Sequence, residues 1–315
     1  MALRLCSCKC RLLRPPHRMV RRCITVKKPI FTGVCTALVT PFWAGNVNHP
    51  LLEVLLQRQI DAGIKAVVLA GTTGEAPTLS DEEKLTIFAR CKAQAGDTCT
   101  IVAGTGSNST AHTVELSLAA EAVGADALLV VSPYYNKATP EGLIAHYLSV
   151  AEAVSIPVII YNVPGRTGLD IPVSVYKQLS LHPNIAGVKE ASADITKITA
   201  IRKECGDDFT IWSGNDDQIV PCTSLGGKGV ISVLSNVLPV ETLQMANAAL
   251  NGDYKTASAM QCRLFPLIKA LFSEVNPIPV KAAMDILGYD CGGCRLPLCD
   301  ANRETRDHLK ELLRK

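Results

Sequence analysis

Lys189 occupies the most unusual chemical setting in this 315-residue chain. It lies in Ile185-Ala186-Gly187-Val188-Lys189-Glu190-Ala191, a run whose apolar residues are of the kind that fill a buried strand. Burying an ammonium without a partner is costly, and desolvation pulls a lysine's pKa down towards a neutral amine. Such an amine can attack a ketone carbon and form a Schiff base. Taken alone, Lys189 reads equally well as a lysine snorkelling at a strand end or pairing with a neighbouring carboxylate. Its surroundings favour the nucleophile. Tyr161 ends an adjacent apolar run, and Thr73 and Tyr135 follow two others, which supplies hydroxyls suited to shuttling protons. No His or carboxylate at the ends of these runs offers a rival base–nucleophile pair. Thr72-Thr73-Gly74 is a small-residue turn whose N–H groups could hold a carboxylate. Arg166, after Pro164-Gly165, could grip a second carboxylate in bidentate fashion, or be an ordinary surface arginine.

These residues need a scaffold that brings the ends of several strands together. From about residue 33 a single pattern repeats: a short apolar, β-branched run, then an amphipathic helical stretch, then another run. The runs are 34–40, 66–70, 100–104, 127–132, 157–162, 185–189, 209–213 and 229–233. Ser80 with Glu83 forms a capping box, Thr139-Pro140 gives an N-cap with Pro behind it, and Gly63, Gly124 and Gly206 stand where helices should stop. Eight strand–helix units predict the α/β class: a closed (β/α)8 barrel over 31–238, with a C-terminal helical extension over 239–315. No G-x-G-x-x-G follows the first run, which argues against a dinucleotide-binding sheet. In such a barrel the chemistry sits at the C-terminal ends of the strands, where all the residues above fall.

The formal charge of +3 invites a search for acidic partners, but it is local. Nine of the 32 Lys/Arg and none of the 29 Asp/Glu fall in residues 1–30, so residues 31–315 carry 23 basic against 29 acidic residues, a net −6. The leader lacks the aromatics of a nucleic-acid arm, and no run is long enough to span a membrane. It reads as a disordered or spurious extension, with Met19 as an alternative start, or as an organellar targeting segment. The first reading implies a cytoplasmic protein, the second an organellar one. Cys6, Cys8, Cys10 and Cys23 belong to this leader. The remaining cysteines are scattered, except for Cys291-Gly-Gly-Cys294 and Cys299, whose spacing would suit a metal or redox pair but reads as a Gly-rich loop without a second C-x-x-C. No metal is expected.

Four segments together carry a resemblance: Gly71-Thr72-Thr73-Gly74-Glu75, Tyr134-Tyr135-Asn136-Lys137, Tyr161-Asn162-Val163-Pro164-Gly165-Arg166-Thr167-Gly168 and Gly187-Val188-Lys189-Glu190. In this order, over about residues 31–300, the chain resembles the pyruvate-dependent class I aldolases and most closely their dihydrodipicolinate synthase family. The resemblance implies that Lys189 condenses with pyruvate to an imine and then an enamine, which attacks L-aspartate 4-semialdehyde in lysine biosynthesis. It implies that Tyr161 relays protons with Thr73 and Tyr135, the latter from a neighbouring subunit of a dimer or dimer of dimers. Thr72 and Thr73 would seat the pyruvate carboxylate, Gly187 and Ile231 would line that side, and Arg166 would bind the second carboxylate. No cofactor is implied, because the imine is itself the electron sink. Lysine-inhibited members carry two histidines and a glutamate in a regulatory pocket. Here Asp81 and Lys84 stand at the histidine positions and His112 at the glutamate position, while Asn108 and Tyr134 fit, so feedback inhibition by L-lysine is expected to be weak or absent. The alternatives are a sister aldolase acting on N-acetylneuraminate, 2-keto-3-deoxygluconate or 4-hydroxy-2-oxoglutarate, and a catalytically silent metabolite-binding barrel.

Overall fold

A computed structural model describes residues 27–314. The expectations placed on residues 1–26, including Met19 and the four leader cysteines, lie outside the described residues. Lys27, assigned above to the leader, is already part of the body: its Nζ donates to the carbonyls of Ser180, His182 and Ile185 at 2.8, 2.7 and 3.0 Å.

The eight apolar runs form eight parallel strands: β1 (Gly33–Ala37), β2 (Ala66–Leu69), β3 (Thr100–Gly104), β4 (Ala127–Val131), β5 (Val158–Asn162), β6 (Ile185–Glu190), β7 (Thr210–Ser213) and β8 (Gly229–Ser232). Each pairs with its neighbours in sequence, and β8 pairs with β1 to close the barrel. The runs lack polar alternation because both faces are covered. Cys35, Val68, Val102, Leu129, Ile159 and Ile231 fill the interior, while Val67, Ile101, Leu128, Ile160 and Val188 face the helices. The base of the interior is closed by Trp212, whose indole stacks on Phe31 with ring centres 4.9 Å apart and donates to the Phe31 carbonyl at 3.2 Å.

The helix signals read from the sequence are those used. Ser80 and Glu83 cap the helix Asp81–Ala95 reciprocally, Thr139 caps Pro140–Ala153, and Gly206 ends Ile195–Cys205. One boundary differs. The helix Pro239–Leu250, expected in the extension, lies against β1, with Leu243 and Asn247 beside Gly33. It covers the outer face of the strand that closes the barrel, so the barrel body runs through Leu250. The extension proper is Tyr254–Ala270, Ile278–Ile286 and Arg303–Leu313.

The C-x-x-C segment straps this extension to a short hairpin, Phe42–Trp43 with Asn46–Val47: the Phe42 amide donates to the Cys291 carbonyl at 2.9 Å, and the Cys291 amide to Asp285 Oδ1 at 3.0 Å. Burial pushes the thiols of Cys291 and Cys294 up to about 12, so neither is a ready thiolate. Among the described residues, no cluster of His, Cys, Asp and Glu is arranged to hold a metal ion, and no helix is long and apolar enough to cross a membrane.

His146 is buried between two barrel helices, with Nδ1 2.9 Å from Thr110 Oγ1 and no partner for Nε2 among the described residues. Burial lowers its pKa to about 4. The unfolded chain therefore takes up this proton near pH 6.5 and the folded chain only near 4. The stabilisation is present above the higher value and is lost as pH falls between the two, by about 3 kcal/mol in all. Urea unfolding of His146→Gln should show a shallower decline over that range than the parent protein; an identical decline would assign the slope to other groups.

Candidate active site

The parallel register of β5 and β6 places Tyr161 opposite Lys189. Both side chains point into the barrel, both are only 6% exposed, and Lys189 Nζ stands 4.3 Å from the centre of the Tyr161 ring. On the other flank Lys189 is level with Trp212 of β7. The amine is therefore faced by the Tyr161 ring at the C-terminal end of the barrel, with Ile231 packed in the same interior cluster. Gly187, expected beside the substrate, lies two residues below Lys189 on the inward face. A Cβ there would fall 1.9 Å from the Thr210 carbonyl oxygen, so Gly187 lets β6 and β7 approach each other. The glycine at the mouth is Gly214, whose amide donates to the Glu190 carbonyl at 2.7 Å.

Above Tyr161 opens a cleft of about 670 Å³ lined by Thr72, Tyr161 and Arg166 and, further out, by Asp81, Lys84, His112 and Tyr134. The turn that carries Thr72 and Thr73 is bracketed by two non-glycine residues in the left-handed region, Ala70 (φ 48°) and Glu75 (φ 57°), a conformation that costs of order 1 kcal/mol or more apiece. Each is held from outside the turn. Ala70 fits because Gly104 has no side chain: a Cβ there would stand 2.2 Å from the Ala70 carbonyl oxygen. The fully buried Glu75 carboxylate pairs with Lys281 Nζ at 2.9 Å and accepts from the Arg295 amide at 2.9 Å. The Arg295 guanidinium then joins Glu83 and the Thr78 carbonyl, and it holds the Glu83 carboxyl below the usual carboxylate range.

Thr73 is buried behind Thr72. Its Oγ1 accepts from Asn276 Nδ2 at 3.1 Å, and the Asn276 carbonyl accepts from Arg166 Nη2 at 3.0 Å. One residue of the extension thus joins the two groups expected to bind carboxylates. Asn276 Oδ1 is buried without a partner among the described residues. No chemical motif in the sequence singles out Asn276, Lys281 or Arg295, which lie some 200 residues from the turn they hold. Only the break in helical pattern at Asn276-Pro277-Ile278-Pro279 marks the place.

Tyr135 is not brought to this cleft. It is 90% exposed at the tip of its loop with a φ of 73°, whereas Tyr134 turns inward to the cleft wall. At the outer end, Asp81 bridges two neighbours: Oδ2 lies 2.7 Å from His112 Nε2 and Oδ1 3.2 Å from Lys84 Nζ. The bond to His112, followed by the Lys84 contact, lowers the Asp81 pKa. Asn108 contributes its carbonyl, which accepts from Asn136 Nδ2 at 2.9 Å.

Removing one member of the Glu75–Lys281 pair leaves a buried charge without its partner. Lys281→Met should cost about 3–5 kcal/mol in urea unfolding, with part of the loss recovered in the Glu75→Gln/Lys281→Met double variant. A single variant as stable as the parent would show that the ion pair does not hold the turn.

A family model described as the dihydrodipicolinate synthetase family matches residues 30–315. The 4-hydroxy-tetrahydrodipicolinate synthase of Acetivibrio thermocellus is 47% identical over 289 residues, covering 92% of this chain and 98% of the relative. That of Kosmotoga olearia is 46% identical, covering 90% and 98%. Among solved structures, the dihydrodipicolinate synthase of Aquifex aeolicus superposes with a TM-score of 0.89 at 42% identity, covering 90% of this chain and 97% of the other. The enzyme of Cyanidioschyzon merolae, solved with lysine bound, superposes with a TM-score of 0.88 at 38% identity, covering 91% and 98%. The extent of these matches, together with a closed barrel carrying a paired lysine and tyrosine at its mouth, establishes that the chain belongs to the dihydrodipicolinate synthetase family.

Proposed function

We propose that this chain condenses pyruvate with L-aspartate 4-semialdehyde to 4-hydroxy-tetrahydrodipicolinate, a lyase step of lysine and diaminopimelate biosynthesis. The observation that carries the reading is the Lys189 amine, buried and facing the Tyr161 ring at 4.3 Å beneath the cleft. The amine adds to the ketone carbon of pyruvate and expels water, giving an imine. The imine then withdraws electrons from the neighbouring methyl, which loses a proton to become an enamine carbon. That carbon forms the new bond to the aldehyde, whose oxygen takes up a proton. The amino group of the second substrate finally attacks the imine carbon, closes the ring and releases Lys189.

The remaining roles are assigned to residues around the amine and along the cleft. Tyr161, beside the amine, carries protons to and from the imine and the new alkoxide, with the Thr73 hydroxyl as its relay partner. The Thr72–Thr73 turn seats the pyruvate carboxylate, with Ile231 on the interior side, and Arg166 at the cleft wall takes the carboxylate of the semialdehyde. Tyr135 acts in trans: a tyrosine 90% exposed on a left-handed backbone suits donation to the cleft of a second copy, in a homodimer or dimer of dimers. We place the enzyme in the cytoplasm.

Borohydride added with pyruvate should fix one pyruvate on the peptide carrying Lys189, and Lys189→Ala should lose both the adduct and turnover in a coupled assay. No adduct, or normal turnover by the alanine variant, would overturn the imine mechanism. In the outer cleft Asp81 already engages both Lys84 and His112, and Lys84 adds a positive charge where an effector ammonium would sit. L-Lysine should therefore not inhibit by half below about 1 mM, an affinity worth ~4 kcal/mol; inhibition below that level would contradict this part of the proposal.

A further inference from the structure

Glu190 and Asn162 flank the lysine and tyrosine in sequence and have no part in the chemistry above, yet they form the centre of a buried polar cluster. Successive residues of a strand point to opposite faces. Because Tyr161 lies opposite Lys189 on the inner face, Asn162 lies opposite Glu190 on the outer face, one step along the same pair of strands. There Asn162 Nδ2 donates to Glu190 Oε1 and Oε2 at 2.9 and 3.1 Å and to Asp170 Oδ1 at 2.8 Å. Glu190 also accepts from the Tyr176 hydroxyl at 3.2 Å and the Ser192 amide at 2.8 Å. Lys197 Nζ stands 3.8 Å from Glu190 Oε2 and bonds Asp170. The carboxylate thus has four donors around it, all converging from β5, the following helices and the loop beyond β6.

The register beneath this cluster is irregular. Val158 lies opposite Ile185, but Ile159 lies opposite Gly187, so β6 carries one extra residue at Ala186. Above such a bulge, inner-face packing alone leaves pairing loosely specified: Gly187 presents no side chain, and a slip by one residue would turn Lys189 outward and Glu190 into the barrel. The Asn162–Glu190 bonds tie β5 to β6 above the bulge. We infer that Glu190, held by Asn162, is a positioning residue that fixes β6 against β5 and so aims the Lys189 amine at Tyr161 and the bound ketone. This rests on the imine reading of Lys189.

Glu190→Gln keeps the shape but replaces one acceptor oxygen with a donor facing other donors. In the full chain, the rate of borohydride trapping of pyruvate and kcat should both fall about tenfold to a hundredfold, the scale on which misplacement of a reacting group by about an ångström acts. KM for each substrate should stay within about threefold of the parent value. Lys197→Met, which leaves the Asn162–Glu190 bonds in place, should lower stability without slowing trapping by more than about twofold. Should Glu190→Gln fail to fold, Glu190→Asp, with the charge retained but the reach shortened, must show the same selective loss of trapping rate. Parent-like trapping and kcat in whichever of these two variants folds, a change confined to KM, or equal slowing by Lys197→Met would each overturn the inference. If the parent protein itself formed no adduct, the imine reading would fall instead.

Discussion

A primary amine can attack a carbonyl inside a protein only if it is removed from bulk water and still held in line with its target, and these two demands oppose each other. Removal from water costs free energy, and a flexible four-carbon stem does not hold a line unaided. The placement of Lys189 meets both. The closed barrel takes the amine out of solvent, the Phe31–Trp212 stack closes the interior below, and the Tyr161 ring faces the amine at its own level. Around that point stand the Thr72–Thr73 turn and Arg166, the groups proposed to take the substrates' carboxylates.

The supports are polar and lie outside the barrel. The Glu190 cluster grips β5 and β6 from their outer face, behind the lysine and tyrosine. The Glu75–Lys281 pair and the Asn276 bridge grip the threonine turn from the C-terminal extension. A buried ion pair adds little net stability over well-packed apolar groups, yet separating its members strands a buried charge, which penalises departures from the paired geometry. That suits a turn with two residues in the left-handed region, which would otherwise relax. The extension is therefore more than a cover: through Asn276 and Lys281 it holds the turn and Arg166 in one frame.

Much of this was legible in the sequence, for local reasons. Strands buried on both faces announce themselves as continuous apolar runs, and the Ser80–Glu83 box and Thr139-Pro140 are short-range signals that tertiary structure does not override. Lys189 was legible because a charge in such a run violates the pattern. What was not legible depends on distance or on pleat. Asn276 and Lys281 act on residues some 200 positions away. The resemblance sets Gly187 beside pyruvate, and only the bulge at Ala186 and the close approach of β7 show that it serves as a packing position beneath the lysine. The helix Pro239–Leu250 has the pattern of its successors, and only its contact with β1 shows that it completes the barrel. Tyr135 looks like a fourth member of the site by spacing, but its left-handed backbone turns it away from its own cleft.

On the proposed mechanism, the interior amine of Lys189 bonds covalently to the ketone carbon of pyruvate while the threonine turn holds its carboxylate. Crystals soaked in pyruvate test both halves together. Continuous electron density from Lys189 Nζ to the substrate C2, with the carboxylate against the Thr72–Thr73 turn, is the predicted result. Pyruvate bound without a bond to Lys189, or bound covalently with its carboxylate turned away from that turn, would contradict the account.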